Sequence, residues 1–174
     1  MELIVVGMAD CRIGRAPGQV LATYALGSCI GLTVYDPEAE VGALLHFMLP
    51  DSAIDPVRSR RNPYMFADTG VPLLLEQVYG EGASKRRLIT HAAGGACIME
   101  HGNMFDIGKR NYLALRKILW STGVLLSGEA VGGSNPRTVR LEIGSGRLWL
   151  QEGGGLRELV AAFPQKGGTS WHAS

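Results

Sequence analysis

Short apolar runs separated by turn residues characterise the first part of the chain. Four of these runs have the composition of β-strands: Leu3–Val6, Val20–Ala25, Ile30–Tyr35 and Val41–Leu49. Gly7, Asp36-Pro37 and Pro50 supply turn signals at the ends of three of them. Because the last three runs follow one another through short connections, we predict that they form an antiparallel sheet.

Two later segments carry apolar residues at helical spacing. The first extends from about Phe66 to Tyr79 and is followed by Gly80 and Gly82. The second is Ile107–Thr122, and Gly123 ends it. Further strands are predicted at Arg87–His91, Val124–Val131, Thr138–Ile143 and Arg147–Gln151, of which the last two form a hairpin.

The order of these elements predicts a mixed α/β fold of the α+β type, with helices grouped against a sheet. The 174 residues, of which 46% are hydrophobic and 19% charged, suit one folded domain. We place this domain at residues 1–163 and expect a flexible tail at 164–174. Residues 51–63, rich in proline and arginine, are predicted to be a solvated loop, with a substrate or partner contact as the alternative. The 24 glycines predict many tight turns and close backbone approaches.

Charge and cysteine content exclude several classes of function. A formal net charge of +1 gives no broad field that would attract nucleic acid or an anionic membrane. No stretch approaches the roughly 18 consecutive apolar residues of a membrane span, and Met1–Gly7 lacks the pattern of a signal peptide. Three cysteines, an odd number, argue against a disulfide framework. We therefore expect a cytoplasmic protein with free thiols.

Cys29 and His46 are candidates for a cysteine nucleophile and its base. Cys29 follows the small residues Gly27-Ser28, and His46 lies within an apolar run. A free thiol with a pKa near ~8.5 is mostly protonated at neutral pH, so an imidazole that takes its proton would activate it. If residues 20–35 and 41–49 pair as neighbouring strands, the two side chains can meet across the sheet. The alternative is a buried core cysteine and a hydrogen-bonded structural histidine.

Other groups offer weaker possibilities. Cys97 lies between His91 and His101 and could form a dyad or bind a metal, although this spacing fits no standard zinc pattern. The alternative is that Ala92–Ala96 is a small-residue turn and Cys97 a packed side chain. Cys11 has no evident partner and is interpreted as structural. Glycines resembling phosphate loops, at Gly27-x-x-x-Gly31 and Gly132-Gly133-Ser134, lack the Gly-Lys-Ser/Thr that such a loop requires.

Several segments, taken together, match the signature of a known family in order and spacing. The first are Thr23–Ile30, Tyr35-Asp36-Pro37 and His46-Phe47-Met48-Leu49-Pro50. The later ones are Gly94–Met99, Ile107-Gly108-Lys109-Arg110-Asn111, Gly132-Gly133 with Arg137, and Gly144-x-Gly146. In these segments, and nearly throughout the chain up to about residue 150, the sequence resembles the CheD family, the chemoreceptor glutamine deamidases of bacteria and archaea.

The resemblance implies a layered α/β/β sandwich with mostly antiparallel sheets and two main helices, similar to the catalytic domain of cytotoxic necrotizing factor toxins. It also implies a catalytic set in which Cys29 is the nucleophile, His46 the general base and Thr23 the group that orients the imidazole. Backbone N–H groups around Gly27 and Ser28, in the turn that carries Cys29, would stabilise the oxyanion. No metal and no organic cofactor is required.

The implied activity is that of a protein-glutamine glutaminase in chemotaxis, which converts receptor glutamines to glutamate through a cysteine thioester and releases ammonia. The implied partners are the cytoplasmic domain of a chemoreceptor, as substrate, and a CheC-type phosphatase. Two alternatives remain open. The chain could act mainly as a binding regulator of such a phosphatase, or as a cysteine deamidase or methylesterase acting on another protein.

Overall fold

Ten strands form two five-stranded sheets in the part of the chain that the computed structural model describes, residues 1–97 and 106–160. The strands are β1 (Glu2–Val5), β2 (Asp10–Gly14), β3 (Gln19–Leu26), β4 (Ile30–Asp36), β5 (Val41–Phe47), β6 (Ile89–Gly94), β7 (Gly128–Val131), β8 (Arg137–Glu142), β9 (Leu148–Glu152) and β10 (Gly155–Val160). The central sheet has the order β2-β5-β4-β6-β7, and the outer sheet has the order β1-β3-β8-β9-β10. Neighbouring strands are antiparallel except in the pairs β1–β3 and β6–β7.

Helices cover one face of the central sheet. They are α1 (Pro56–Arg61), α2 (Ala67–Gly80) and α3 (Ile107–Thr122), together with short 3-10 turns at Ser52–Ile54, Pro63–Met65 and Lys85–Arg87. Leu74 and Leu115 of the two long helices pack on Leu32 and Leu45 of the sheet. The opposite face packs against the outer sheet, so the layers are helices, central sheet and outer sheet. The predicted mixed α+β fold of three layers, with mostly antiparallel sheets and two main helices, is therefore confirmed.

Burial along the strands follows from these layers. Every residue of β4 and β5 is buried, because both faces of the central sheet are covered. In β8 of the outer sheet, buried residues alternate with half-buried ones, as expected for a strand with one face towards solvent. The two apolar clusters thus lie on opposite sides of the central sheet.

Local signals predicted several elements correctly. Helix α3 has the predicted bounds, begins with Asp106 accepting from the Lys109 N–H, and ends at Gly123 in the left-handed region. Helix α2 and the β8–β9 hairpin also agree with the sequence pattern to within a few residues. Strands β6 and β7 were placed less well, since β6 continues to Gly94 where a turn was predicted and β7 begins only at Gly128.

Two predictions of local structure are wrong, and one strand is additional to those predicted. Strand β3 does not join β4 and β5 in one sheet, because it pairs with β1 and β8 in the outer sheet. Strand β2 was not predicted, although it pairs with β5. Residues 51–63 are not an open loop but consecutive short helical turns. The side chains of Asp51, Asp55 and Asn62 accept backbone N–H groups at their starts, which the content of proline and arginine obscured.

The domain boundary at residue 163 stays a prediction, as does the likeness to the toxin domain. The predicted tail, 164–174, lies outside the described residues. Among the helices of residues 1–97 and 106–160, none is long and apolar enough to cross a membrane.

Candidate active site

The turn that carries Cys29 passes from one sheet to the other. Strand β3 of the outer sheet ends at Leu26, and β4 of the central sheet begins at Ile30. The backbone at Gly94 lies so close that a Cβ atom there would be 2.2 Å from the carbonyl oxygen of Cys29. Gly94 also has a φ of +109°, so only glycine fits this position without strain. The turn is therefore held by close backbone contact at the edge of the two-sheet interface.

Strand register places His46 on the same face as Cys29. His46 pairs with Gly31, and Cys29 is two residues before Gly31 along the chain. Cys29 precedes β4, so its direction follows from its contacts: it packs against the apolar cluster between the sheets, and His46 contacts Thr23 of the outer sheet. Both side chains therefore face the outer sheet. Gly31 itself has no side chain, and a Cβ atom there would meet Leu26 at 2.8 Å and Thr23 at 3.4 Å. The missing side chain thus lets β3 approach the imidazole.

Thr23 of the outer sheet holds this imidazole from the other side. Its hydroxyl oxygen lies 2.8 Å from Nδ1 of His46, and the hydroxyl donates to the carbonyl of Val6, also at 2.8 Å. Thr23 has one hydroxyl hydrogen, and the Val6 carbonyl can only accept. Nδ1 of His46 must then carry the proton that it donates to Thr23, which leaves Nε2 with a free lone pair. Nε2 is buried and has no hydrogen-bond partner within residues 1–97 and 106–160.

Burial keeps both candidate groups neutral. His46 is only 2% exposed, and burial lowers the pKa of its imidazole from 6.5 to about 4. Cys29 is half-buried, and burial raises the pKa of its thiol, an effect that its own backbone N–H partly opposes. The two resting groups are therefore a thiol and a neutral imidazole that share no hydrogen bond, rather than a preformed thiolate and imidazolium. Such a pair suits a base that takes the proton as the sulfur attacks.

The remaining cysteines lie in different surroundings. Cys11 pairs with Leu45 on the helix side of the central sheet, and burial raises the pKa of its thiol to about 12, in keeping with the structural interpretation. Cys97 is exposed, and its backbone N–H donates to Gly133. His91 is half-buried in β6, and His101 lies outside the described residues. Within 1–97 and 106–160, no cluster of three His, Cys, Asp or Glu side chains could hold a metal.

The glycines at 132 and 133 brace the site. Gly132 donates its N–H to the carbonyl of Gly94, and Arg137 of the outer sheet donates to the carbonyls of both Gly94 and Gly132. Arg137 is almost fully buried and also forms an ion pair with Glu152 at 2.7 Å. This loop therefore joins the two sheets behind the Cys29 turn. Both glycines have a positive φ, of +86° and +70°, which accounts for glycine at these two positions.

One buried polar residue at the site was not recognised as functional from the sequence. Asn111 of α3 is 0% exposed, and its Nδ2 lies 2.9 Å from the carbonyl oxygen of Ser28 and 2.8 Å from that of Met48. The available signal was its position on α3, one turn before the buried Leu115 on the apolar stripe. A polar side chain on a buried helix face requires partners, and here they are carbonyls beside both Cys29 and His46.

Comparison with known proteins identifies the family. The family model described as CheD chemotactic sensory transduction matches residues 48–152. The chain belongs to the CheD family. It is 73% identical over 168 residues to a probable chemoreceptor glutamine deamidase CheD of Solibacter usitatus, covering 97% of this chain and 99% of that protein. It is 47% identical over 157 residues to a protein of the same description from Syntrophus aciditrophicus, covering 90% and 98% of the two chains.

Among solved structures, the chain is similar to a Neisseria meningitidis protein of the family DUF152. The TM-score is 0.46 at 10% sequence identity, covering 77% of this chain and 64% of that one.

Proposed function

We propose that this CheD protein is a chemoreceptor glutamine deamidase with Cys29 as nucleophile and His46 as general base. The observation that carries the proposal is the hydrogen bond between Thr23 and His46, which joins the two sheets beside the turn that brings Cys29 to the same face. Among the residues described, Cys11 lies on the helix side of the central sheet and Cys97 is exposed. The names of the relatives supply the substrate class.

The proposed reaction begins with the neutral thiol–imidazole pair. Nε2 of His46 takes the thiol proton while the Cys29 sulfur attacks the carboxamide carbon of a glutamine side chain. The C–O π electrons move onto oxygen, and the backbone N–H groups at Ser28 and Cys29, in the turn after Gly27, stabilise this oxyanion. When the tetrahedral intermediate collapses, the C–N bond breaks, and the imidazolium returns its proton to the leaving ammonia.

Hydrolysis of the thioester completes the cycle. His46 removes a proton from a water molecule, the hydroxide attacks the thioester carbon, and the C–S bond breaks. The sulfur takes the proton back from His46, and the former glutamine leaves as glutamate. In this scheme Thr23 touches no substrate; it keeps the Nδ1 proton in place so that Nε2 can act as the base. A methyl ester of glutamate could form the same thioester, so methylesterase activity is a natural second outcome of this chemistry.

The proposed partners follow from family membership. The substrate would be the cytoplasmic domain of a chemoreceptor, which places the proposed reaction in the cytoplasm. We also propose that a CheC-type phosphatase binds the chain, as the family resemblance implies. Gel filtration of the two purified proteins, separately and mixed, tests this partner, and separate elution would contradict it.

The test of the proposed function is mass spectrometry of a purified receptor cytoplasmic domain after incubation with the protein. The wild type should convert specific glutamines to glutamate and release an equal amount of ammonia. Cys29→Ala should abolish both, because no thioester can form. Cys11→Ala is the matched control, since Cys11 is a part-buried cysteine on the opposite face of the central sheet, and it should remain active. Deamidation by Cys29→Ala would contradict the proposal.

A further inference from the structure

Each carbonyl group of residues 27–29, the turn that carries Cys29, accepts a hydrogen bond. The Ala96 N–H donates to Gly27 at 2.8 Å, Nδ2 of Asn111 donates to Ser28 at 2.9 Å, and the Gly95 N–H donates to Cys29 at 2.8 Å. Two of these donors are backbone groups that any residue would supply. The remaining donor is the side chain of Asn111, so only this hydrogen bond can be removed by substitution.

Holding a carbonyl fixes the direction of the N–H group in the same peptide. The described peptide bonds are trans, and in a planar trans peptide the C=O and the following N–H point in opposite directions. When Asn111 holds the Ser28 carbonyl, the Cys29 N–H must point away from α3. That N–H lowers the pKa of the Cys29 thiol, as expected if it faces the sulfur.

We infer that Asn111 is a positioning residue that aims the Cys29 backbone N–H at the oxyanion formed during acyl transfer. This inference rests on the proposed function, because it assigns a donor for the oxyanion of that reaction. Asn111 does not touch the substrate in this scheme. It acts through the Ser28–Cys29 peptide, while its second hydrogen holds the carbonyl of Met48, two residues after His46. One amide therefore ties together the chain segments that carry the nucleophile and the base.

The hydrogen-bond inventory of Asn111 supports this role. Its NH₂ group has two hydrogens, and two carbonyls accept them. Its Oδ1 is buried and has no hydrogen-bond partner among the residues that the structure describes, which carries a desolvation cost. A leucine of similar size would avoid that cost but would donate nothing to either carbonyl. The NH₂ group of Asn111, and not its Oδ1, therefore explains why an amide side chain stands at this position.

The backbone of α3 fixes the position from which Asn111 acts. Gly108, one turn earlier on the same face, packs so closely that a Cβ atom there would be 2.5 Å from the carbonyl carbon of Gly95. Asp106 caps the same end of the helix by accepting from the Lys109 N–H. Helix α3 therefore cannot move closer to the Cys29 turn, and the length of the Asn111 side chain determines which carbonyl groups it contacts.

Asn111→Leu separates this role from a merely structural one. We expect kcat for deamidation of the receptor fragment to fall about 10²-fold, the effect typical of losing one oxyanion donor, with little change in KM. Alkylation of Cys29 by iodoacetamide, followed over a pH series by peptide mass spectrometry, should keep its limiting rate at high pH to within about threefold, because the reaction of the thiolate forms no oxyanion. Asn111→Ser, which is too short to hold both carbonyls, should behave in the same way if the leucine variant fails to fold.

Thr90→Val is the matched control. Thr90 is also 0% exposed and donates its hydroxyl to a backbone carbonyl, that of Leu125, at the opposite end of β6 from Gly94. This variant should lose stability but keep kcat. An unchanged kcat in the folded Asn111 variants would overturn the inference, and so would a parallel fall in deamidation and alkylation.

Failure of the proposed function would be recognised separately, since wild-type protein would then release no ammonia. The inference could still be tested by the amide NMR signal of Cys29. Its chemical shift and hydrogen exchange should change in Asn111→Leu and not in Thr90→Val. An unchanged Cys29 amide would overturn the inference regardless of the activity.

Discussion

Glycines lie at both ends of the interface between the sheets, in different surroundings. At one end, Gly14 and Gly42 of the central sheet lie beneath Ile143, and Cβ atoms there would come within 2.6 and 2.5 Å of its side chain. At the other end, a Cβ atom at Gly31 would come within 2.8 Å of a Leu26 methyl and 3.4 Å of the Thr23 methyl. The missing Cβ atom makes room for aliphatic carbons at both ends, but at the second end one of them belongs to a threonine whose hydroxyl reaches His46.

The difference shows that buried polar atoms without hydrogen bonds occur at the end of the interface that holds His46. Ile143 is 1% exposed and belongs to an apolar cluster that needs no hydrogen bonds. At the polar end, Nε2 of His46 and Oδ1 of Asn111 are buried without a hydrogen-bond partner in the described part of the chain, each at a cost in stability. We therefore expect the apolar end to matter mainly for stability and the polar end mainly for activity. The following substitutions test this division, in order of decreasing effect.

His46→Gln should have the largest effect, on activity alone. Removal of the general base should lower kcat for deamidation by about 10³-fold or more, because glutamine cannot accept the thiol proton. Ammonia release measures the activity, and urea denaturation at pH 7 measures the stability. A variant that keeps most of its activity would show that the polar end does not carry the chemistry.

Ile143→Ala should have the opposite profile. The cavity left above Gly14 and Gly42 should lower the free energy of unfolding by about 2–5 kcal/mol, the range typical of truncating a buried isoleucine. The same two assays should find kcat close to the wild-type value at a temperature where the variant is folded. A large fall in kcat of the folded variant would mean that the two ends are coupled and that the division fails.

Acid should destabilise the protein through the polar end. Because the folded state keeps His46 neutral down to about pH 4 while the unfolded chain binds a proton below pH 6.5, stability is lost as the pH falls between these values. The loss from this residue corresponds to about 3 kcal/mol, at about 1.4 kcal/mol for each pKa unit.

The difference between the wild type and His46→Gln isolates this effect, because His91, whose pKa burial also lowers, is present in both proteins. Urea denaturation at a series of pH values should therefore show a steeper acid loss for the wild type. Parallel curves for the two proteins would contradict the buried neutral imidazole.

Thr23→Val should have the smallest of these effects. Valine keeps the shape but cannot hold Nδ1 of His46, so the imidazole loses its fixed orientation, and kcat should fall by about tenfold to 10²-fold. Thr33→Val is the matched control, since Thr33 is also buried and donates to the carbonyl of His91 in the same sheet. Equal activities of the two variants would show that the Thr23 contact is only structural.

Sequence reasoning found the local elements and the reacting groups more readily than their arrangement. Helix α3 was predicted correctly because its apolar stripe and Gly123 are local signals. Cys29 and His46 were selected by residue type and neighbours, and the register of β4 with β5 then placed them on one face. The sheet to which β3 belongs could not be read locally, because a short glycine-containing turn looks the same whether it closes a hairpin or crosses between sheets.

Asn111 shows a second limit of pattern reading. Helical periodicity is judged from apolar positions. A polar residue on the buried face therefore weakens the helix prediction and is not recognised as a functional residue. Its meaning depends on two carbonyls from distant parts of the chain, at Ser28 and Met48. Only the packing of α3 against the Cys29 turn brings these groups together.

The crossing of the chain between sheets at Cys29 makes the site sensitive to shear. Thr23 belongs to the outer sheet, His46 to the central sheet, and Cys29 to the segment that connects them. A slide of one sheet over the other by a fraction of a residue would separate these groups while leaving every strand pairing within each sheet intact. Inactivation should therefore precede the loss of secondary structure on heating, and a partner that binds both layers would change the turnover rate without touching Cys29.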